Sequence, residues 1–159
     1  MTFRLGIRRE DKNEWERRAP LAPDAVSRLV AQGVEVLVEP SPRRIFTDLE
    51  YARAGARIAP DLSACTLVLG VKEIPPARFR PGGAYCFFSH TIKGQPYNMG
   101  MLARLRELGC TLLDYELVKD DQGRRLIFFG RHAGLAGMLD SLWALGRRLA
   151  EEGDRKSVV

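Results

Sequence analysis

Cysteine is scarce in this chain and histidine scarcer: three Cys and two His among 159 residues. Cys65, Cys86 and Cys110 are odd in number, form no C-x-x-C pair and have no His at ligand spacing. That excludes a disulfide framework and a zinc motif, and the three read as buried thiols of a reducing compartment. No apolar run approaches the length that crosses a membrane. Met1-Thr-Phe-Arg-Leu-Gly6 lacks the long apolar stretch of a signal peptide, so the expected location is cytoplasmic. A Walker loop, a Ser-His-Asp order, internal repeats and low-complexity stretches are all missing. Gly130-Arg-His-Ala-Gly-Leu-Ala-Gly137 has the wrong spacing for the G-x-G-x-x-G dinucleotide fingerprint. The chain therefore offers no cofactor-binding or metal-binding motif of its own.

What is present is the material of one ordinary globular domain, 45% hydrophobic and 28% charged. The net charge of +5 is mild, and the basic residues are interspersed with acids, as in Arg8-Arg-Glu-Asp-Lys12. Nucleic-acid binding usually shows a clustered basic face, so a basic cleft for carboxylate ligands fits at least as well, and solvated surface is the plainer account of most individual Lys and Arg.

The periodicity alternates strand and helix. Phe3 to Arg8 reads as a first strand, and Glu10 to Glu16 as a charged loop. Pro23-Asp24 opens a helix through about Gln32, stopped at Gly33, and Val34 to Glu39 forms a second strand. A short helix at Asp48 to Ala54 leads to a brief strand at Gly55 to Ile58. Cys65 to Val71 and Ala84 to Ser89 are continuous apolar runs of the kind buried on both faces of a parallel sheet. Pro96 to Leu108 is helical, Cys110 to Tyr115 strand-like, and Asp120-Asp-Gln-Gly123 a hairpin turn before Arg125 to Phe129. Ala133 to Glu151 makes a long final helix. The expected fold is α/β, three-layered, with a mostly parallel sheet flanked by helices, like a Rossmann or flavodoxin fold without the dinucleotide fingerprint. Residues 1–150 are expected to form a substrate domain, and 151–159 a linker or truncated tail.

Two strand ends carry the chemistry. Val68, Leu69 and Val71 lead into Lys72, and Tyr85, Phe87 and Phe88 lead into His90. Ligands of open α/β sheets bind outside the carboxyl ends of the strands, so an ammonium and an imidazole are expected at the mouth of one cleft. That pair suits carbonyl or imine chemistry, in which protons are given and taken near neutral pH. Each alone has a plainer reading: a strand-end Lys that reaches water, and a structural His. Arg17-Arg-Ala-Pro-Leu-Ala-Pro23 places a guanidinium before a helix, where it can fork a carboxylate, though such pairs are commonly surface charge.

Five stretches stand out together: Gly6-Ile-Arg-Arg-Glu-Asp-Lys-Asn-Glu-Trp-Glu-Arg-Arg-Ala-Pro-Leu-Ala-Pro23, Ser41-Pro-Arg-Arg-Ile-Phe46, Lys72-Glu-Ile-Pro75, Phe88-Ser-His-Thr-Ile-Lys-Gly-Gln-Pro96 and Gly123-Arg-Arg-Leu-Ile-Phe-Phe-Gly130. In these the sequence resembles the lysine–ketoglutarate reductase branch of the saccharopine dehydrogenases. More distantly it is similar to the amino-terminal domain shared by alanine dehydrogenase and nicotinamide nucleotide transhydrogenase. The resemblance implies a two-domain oxidoreductase that joins lysine and 2-oxoglutarate through an imine reduced to saccharopine, or runs the reverse. It implies NADPH or NADH in the complete enzyme, held by a nucleotide-binding domain or subunit that this chain does not match. Alone, the chain would be inactive.

By the same resemblance Lys72 and His90 are the acid–base pair and Arg18 the substrate-carboxylate Arg. Lys93, Arg125 and Arg131 are further candidates for substrate carboxylates, and Glu73 and Glu116 for tuning the pair by charge. Two alternatives stand beside this reading: a stand-alone amino- or keto-acid binding or regulatory module, and an alanine dehydrogenase-like half-enzyme. A homo-oligomer is compatible with all three. Apolar surface left bare on the long helix, at Leu142, Trp143, Leu145 and Leu149, would favour a segment that normally docks against more protein.

Overall fold

The computed structural model describes residues 3–153. They form two compact units, one running to Val118 and the other beginning at Lys119.

In the first unit, β1 (Arg4–Ile7), β2 (Glu35–Val38), β3 (Arg57–Ile58), β4 (Leu67–Leu69), β5 (Ala84–Phe87) and β6 (Thr111–Asp114) form one sheet in the order β3-β2-β1-β4-β5-β6. Every adjacent pair is parallel. The expected α/β class is borne out, with the sheet wholly rather than mostly parallel. The chain winds outward from β1 to β3, then returns to β4 and winds the other way. The reversal falls between β1 and β4, which makes their carboxyl ends the topological switch point.

Local chemistry sets the helices. Helix α1 (Pro23–Ala31) begins with Pro23 and Asp24 in its first turn and ends where Gly33, at φ 85°, takes the left-handed conformation. Helix α2 (Asp48–Arg53) is closed by a capping box: Thr47 Oγ1 accepts the Glu50 N–H while Glu50 Oε2 accepts the Thr47 N–H. Helix α3 (Pro96–Glu107) opens on Pro96.

Strand alternation divides the core between the two faces of the sheet. Leu5, Ile7, Val36, Val38, Leu69 and Cys86 pack with Val26 of α1 and Tyr51 of α2. Val68, Tyr85 and Phe87 pack on the other side with Met101 and Leu105 of α3 and with Ile74 and Phe79. The return from β3 to β4 is made by residues 59–66 without a helix.

The second unit contains the expected turn, where Gly123 sits at φ 77° and Asp120 accepts the N–H groups of Gln122 and Arg124. The hairpin is shorter than the sequence implied, a single antiparallel bridge between Lys119 and Arg125. Helix α4 (Gly130–Glu151) starts a turn earlier than expected, directly after Phe129. Most of the expected linker, 154–159, lies outside the described residues. No helix among the described residues is long and apolar enough to cross a membrane.

Candidate functional site

The switch point is closed by a carboxylate. Just beyond β1, the Arg8 N–H extends the ladder to Leu69 at 3.0 Å, and the chain turns Glu10 inward. Glu10 then accepts the backbone N–H of Val71 at 2.8 Å and of Lys72 at 3.0 Å, from the segment beyond β4. Gly70 makes the approach possible, because a Cβ there would fall 3.2 Å from Arg8 Cδ and 3.5 Å from Glu10 Oε1. Burial pushes the Glu10 carboxyl above its ordinary value, against the pull of the two N–H groups and of Arg8.

Lys72, half-buried, emerges from this clamp. Beside it, Glu16 is buried and holds Arg18 in a two-oxygen fork, with Nε 2.8 Å from Oε1 and Nη2 2.6 Å from Oε2. The hydrogen bonds from Arg18 hold Glu16 below the usual carboxylate range against its burial, and the charge of Lys72 adds to that effect.

His90 lies beyond β5, adjacent to β4. Its Nδ1 is 2.9 Å from Oε1 of Glu73, the residue after Lys72. The other oxygen of Glu73 is 3.4 Å from Nζ of Lys12. Burial raises the Glu73 carboxyl, but its own backbone N–H, His90 and Lys12 outweigh burial and leave it below its ordinary value. The His90 backbone has φ 51°, the one positive value outside glycine among the described residues. A buried frame holds it there. Asn98 Nδ2 donates to Ser89 O at 2.9 Å and His90 O at 3.3 Å. The Ser89 hydroxyl donates to Asp114 at the end of β6, and Asp114 also accepts the Glu116 N–H at 2.9 Å.

A cavity of about 180 Å³ opens here, lined by His90, Ile92, Lys93, Gln95, Tyr97 and Glu116. The structure thus brings His90, Lys93 and Glu116 to one cavity, ties Glu73 to His90, and places Lys72 and Arg18 around Glu16. Arg125 and Arg131 belong to the second unit, where Arg125 Nη2 donates to Ile127 O at 3.3 Å. Sequence reading missed Glu10, Glu16, Lys12 and Asn98. No local pattern marks Glu10, whose partners lie 61 and 62 residues further along the chain.

This switch point does not suit a dinucleotide. Arg8-Arg-Glu-Asp11 stands where a glycine-rich turn would cradle a pyrophosphate, and Glu10 already occupies the amides after β4 with a carboxylate. Among the described residues no group of three or more His, Cys, Asp or Glu is placed to hold a metal ion.

Residues 6–136 match the family described as alanine dehydrogenase/PNT, N-terminal domain. The chain belongs to that family. Among its relatives is the mitochondrial alpha-aminoadipic semialdehyde synthase of Bos taurus, 45% identical over 149 residues, covering 94% of this chain and 16% of that protein. Another is the saccharopine dehydrogenase [NAD(+), L-lysine-forming] of Neurospora crassa, 38% identical over 147 residues, covering 88% of this chain and 39% of that protein. The chain therefore spans well under half of either. A solved L-alanine dehydrogenase superposes with a TM-score of 0.66 at 26% identity, over 76% of this chain and 34% of that one. The transhydrogenase from Sinorhizobium meliloti shares the fold, with a TM-score of 0.62 at 22% identity, over 72% of this chain and 35% of that one.

Proposed function

We propose that this chain is the substrate-binding and acid–base domain of a saccharopine dehydrogenase, acting on lysine, 2-oxoglutarate and saccharopine. The observation that carries the reading is the placement of Lys72 and His90 at the carboxyl ends of adjacent parallel strands, with Glu73 between them bonded to the imidazole. The relatives whose names include saccharopine dehydrogenase or alpha-aminoadipic semialdehyde synthase support the substrate class.

The residues have complementary tasks in this reading. Joining an amine to a ketone passes through a carbinolamine, and one group must take the amine proton while another protonates the departing hydroxyl. Lys72 and His90 divide those tasks. With Nδ1 engaged by Glu73, the imidazole presents Nε2 to the substrate. Glu116 in the same cavity and Glu73 set the local charge, and Lys93 meets a substrate carboxylate. Arg18 exchanges Glu16 for a substrate carboxylate of the same bidentate shape. Arg125 and Arg131 would serve a distal carboxylate. The hydride donor, NADPH or NADH, belongs in this reading to a separate nucleotide-binding domain or subunit, and the isolated chain is inactive.

A chimera tests this. This chain replaces the corresponding segment of the Neurospora enzyme, and NADH formation from saccharopine and NAD⁺ is followed. Activity is expected, and Lys72→Met or His90→Gln should lower turnover about 100-fold or more while changing saccharopine KM much less. A folded chimera that binds NAD⁺ and turns over alanine but not saccharopine would move the domain to alanine dehydrogenase chemistry.

A further inference from the structure

The return from β3 to β4 carries no helix, and residues 60–63 of that return line a cavity of about 260 Å³ together with the sheet residues Val68 and Tyr85. Val68, Ile74 and Tyr85 give it an apolar floor, and Leu62 and Ala77 an apolar flank. Three arginines line it as well: Arg8, which is buried, and Arg78 and Arg80 at the rim. Arg78 and Arg80 stand apart from the set around Lys72 and His90, and Arg8 meets that set only through Glu10.

Arg8 is the informative member. Its side chain is only 6% exposed. Nη2 donates to Asp11 Oδ1 at 2.6 Å, but Nη1 is buried with no hydrogen-bond partner among the described residues. Glu10 Oε1 is 3.8 Å from it, outside hydrogen-bonding range. A buried donor left unbonded is costly, and more so when charged. The rim groups are differently occupied. Arg80 is tied to the carbonyl oxygens of Ser63 and Leu62, whereas Arg78 is half-exposed and 3.8 Å from Glu39. The carboxylates in the wall are already engaged: Glu39 accepts the Arg9 N–H at 3.0 Å, and Asp61 accepts the Ser63 N–H and hydroxyl.

We propose that this cavity is a second binding site, for a short aliphatic carboxylate. The carboxylate accepts the unbonded Nη1–H of Arg8 and pairs with Arg78, while its hydrocarbon chain lies on Val68, Ile74 and Leu62. An apolar floor behind a cationic rim favours an organic acid over inorganic phosphate. Occupancy is also readable at a distance, because Glu10 lies between Arg8 and the amides of Val71 and Lys72.

The test is an amide-resolved NMR titration of the 159-residue chain with butyrate and, separately, with inorganic phosphate. Butyrate should give saturable shifts in the millimolar range at Ser63, Arg78, Arg80, Val71 and Lys72, and phosphate should not. Arg8→Met endangers the fold by leaving Glu10 buried without its cation, so two exposed positions serve instead. Ala77→Phe, which fills the cavity, should abolish the shifts, and Arg78→Ala should weaken binding about tenfold, the weight of one charge-assisted contact. Shifts that stay linear in butyrate, survive Ala77→Phe or are matched by phosphate would overturn the proposal. Shifts confined to His90 and Lys93 would also overturn it, while leaving the proposed function of that other cavity standing.

Discussion

Nδ1 of His90 sits 2.9 Å from Glu73 Oε1 while the His90 backbone is held at φ 51°, so the ring reaches its partner from a left-handed conformation. That conformation costs an L-residue about 1–2 kcal/mol and costs glycine little. His90→Ala keeps the strain and loses the hydrogen bond; His90→Gly loses both. Urea unfolding should therefore find His90→Gly more stable than His90→Ala by about 1 kcal/mol. Equal stability would mean that the loop relaxes when the ring is removed, and that Asn98 does not hold the conformation.

Glu10 makes a second prediction, about stability rather than turnover. Its carboxylate is the acceptor for the N–H groups of both Val71 and Lys72. Glu10→Ala would strand two donors at the centre of the sheet and should cost about 2–4 kcal/mol. Glu10→Gln keeps one acceptor oxygen and should lose roughly half as much. An unchanged denaturation midpoint in Glu10→Ala would show that water replaces the carboxylate without penalty.

These two residues also mark what was legible in the sequence. His90 and Lys72 could be read because an apolar run that ends on a titratable side chain marks the carboxyl end of a buried parallel strand, where ligands bind. The alternation of strands and helices gave the α/β class for the same reason. Glu10 and Asn98 could not be weighted in that way. Glu10 finds its partners 61 and 62 residues away, and Asn98 lies in the first turn of α3 with its side chain on the loop before it. Such buried polar contacts depend on tertiary packing, which local pattern does not encode. The hairpin after Asp120 was over-read: the turn residues were correct, but Arg125 to Phe129 pairs through one bridge only.

Acid should weaken the fold through the carboxylates that are held low. The fork from Arg18 keeps Glu16 below its ordinary 4.5, and His90 and Lys12 help do the same for Glu73 against burial. A carboxyl depressed in the folded state adds stability above its unfolded pKa and loses it as pH falls through the folded one. Glu10 is raised, so it opposes them, costing stability as pH climbs past its unfolded value. Unfolding free energy should therefore fall as pH drops below 4.5, and less steeply in Glu16→Gln. Identical pH slopes in the two proteins would remove Glu16 as a source of acid sensitivity.

Helix α4 predicts the behaviour of the chain in solution. Leu135, Met138, Leu139, Leu142, Trp143 and Leu145 are each more than half exposed, and Gly134 and Gly137 face open space. Residues 135, 138, 139 and 142 follow the three-and-four spacing of one helical face, so their exposed surfaces merge into a stripe. A stripe of that kind drives association in water whatever its natural occupant is. The 17.8 kDa chain should therefore sediment above its monomer mass at high concentration and bind a hydrophobic dye. Replacing Leu139 with Glu and Leu142 with Lys together should restore the monomer, because it puts charges on the face and changes no residue of the first unit. A wild-type chain that stays monomeric at about 100 μM and binds no dye would show that this face is too weakly apolar to associate, and that its exposure carries no information about what it meets.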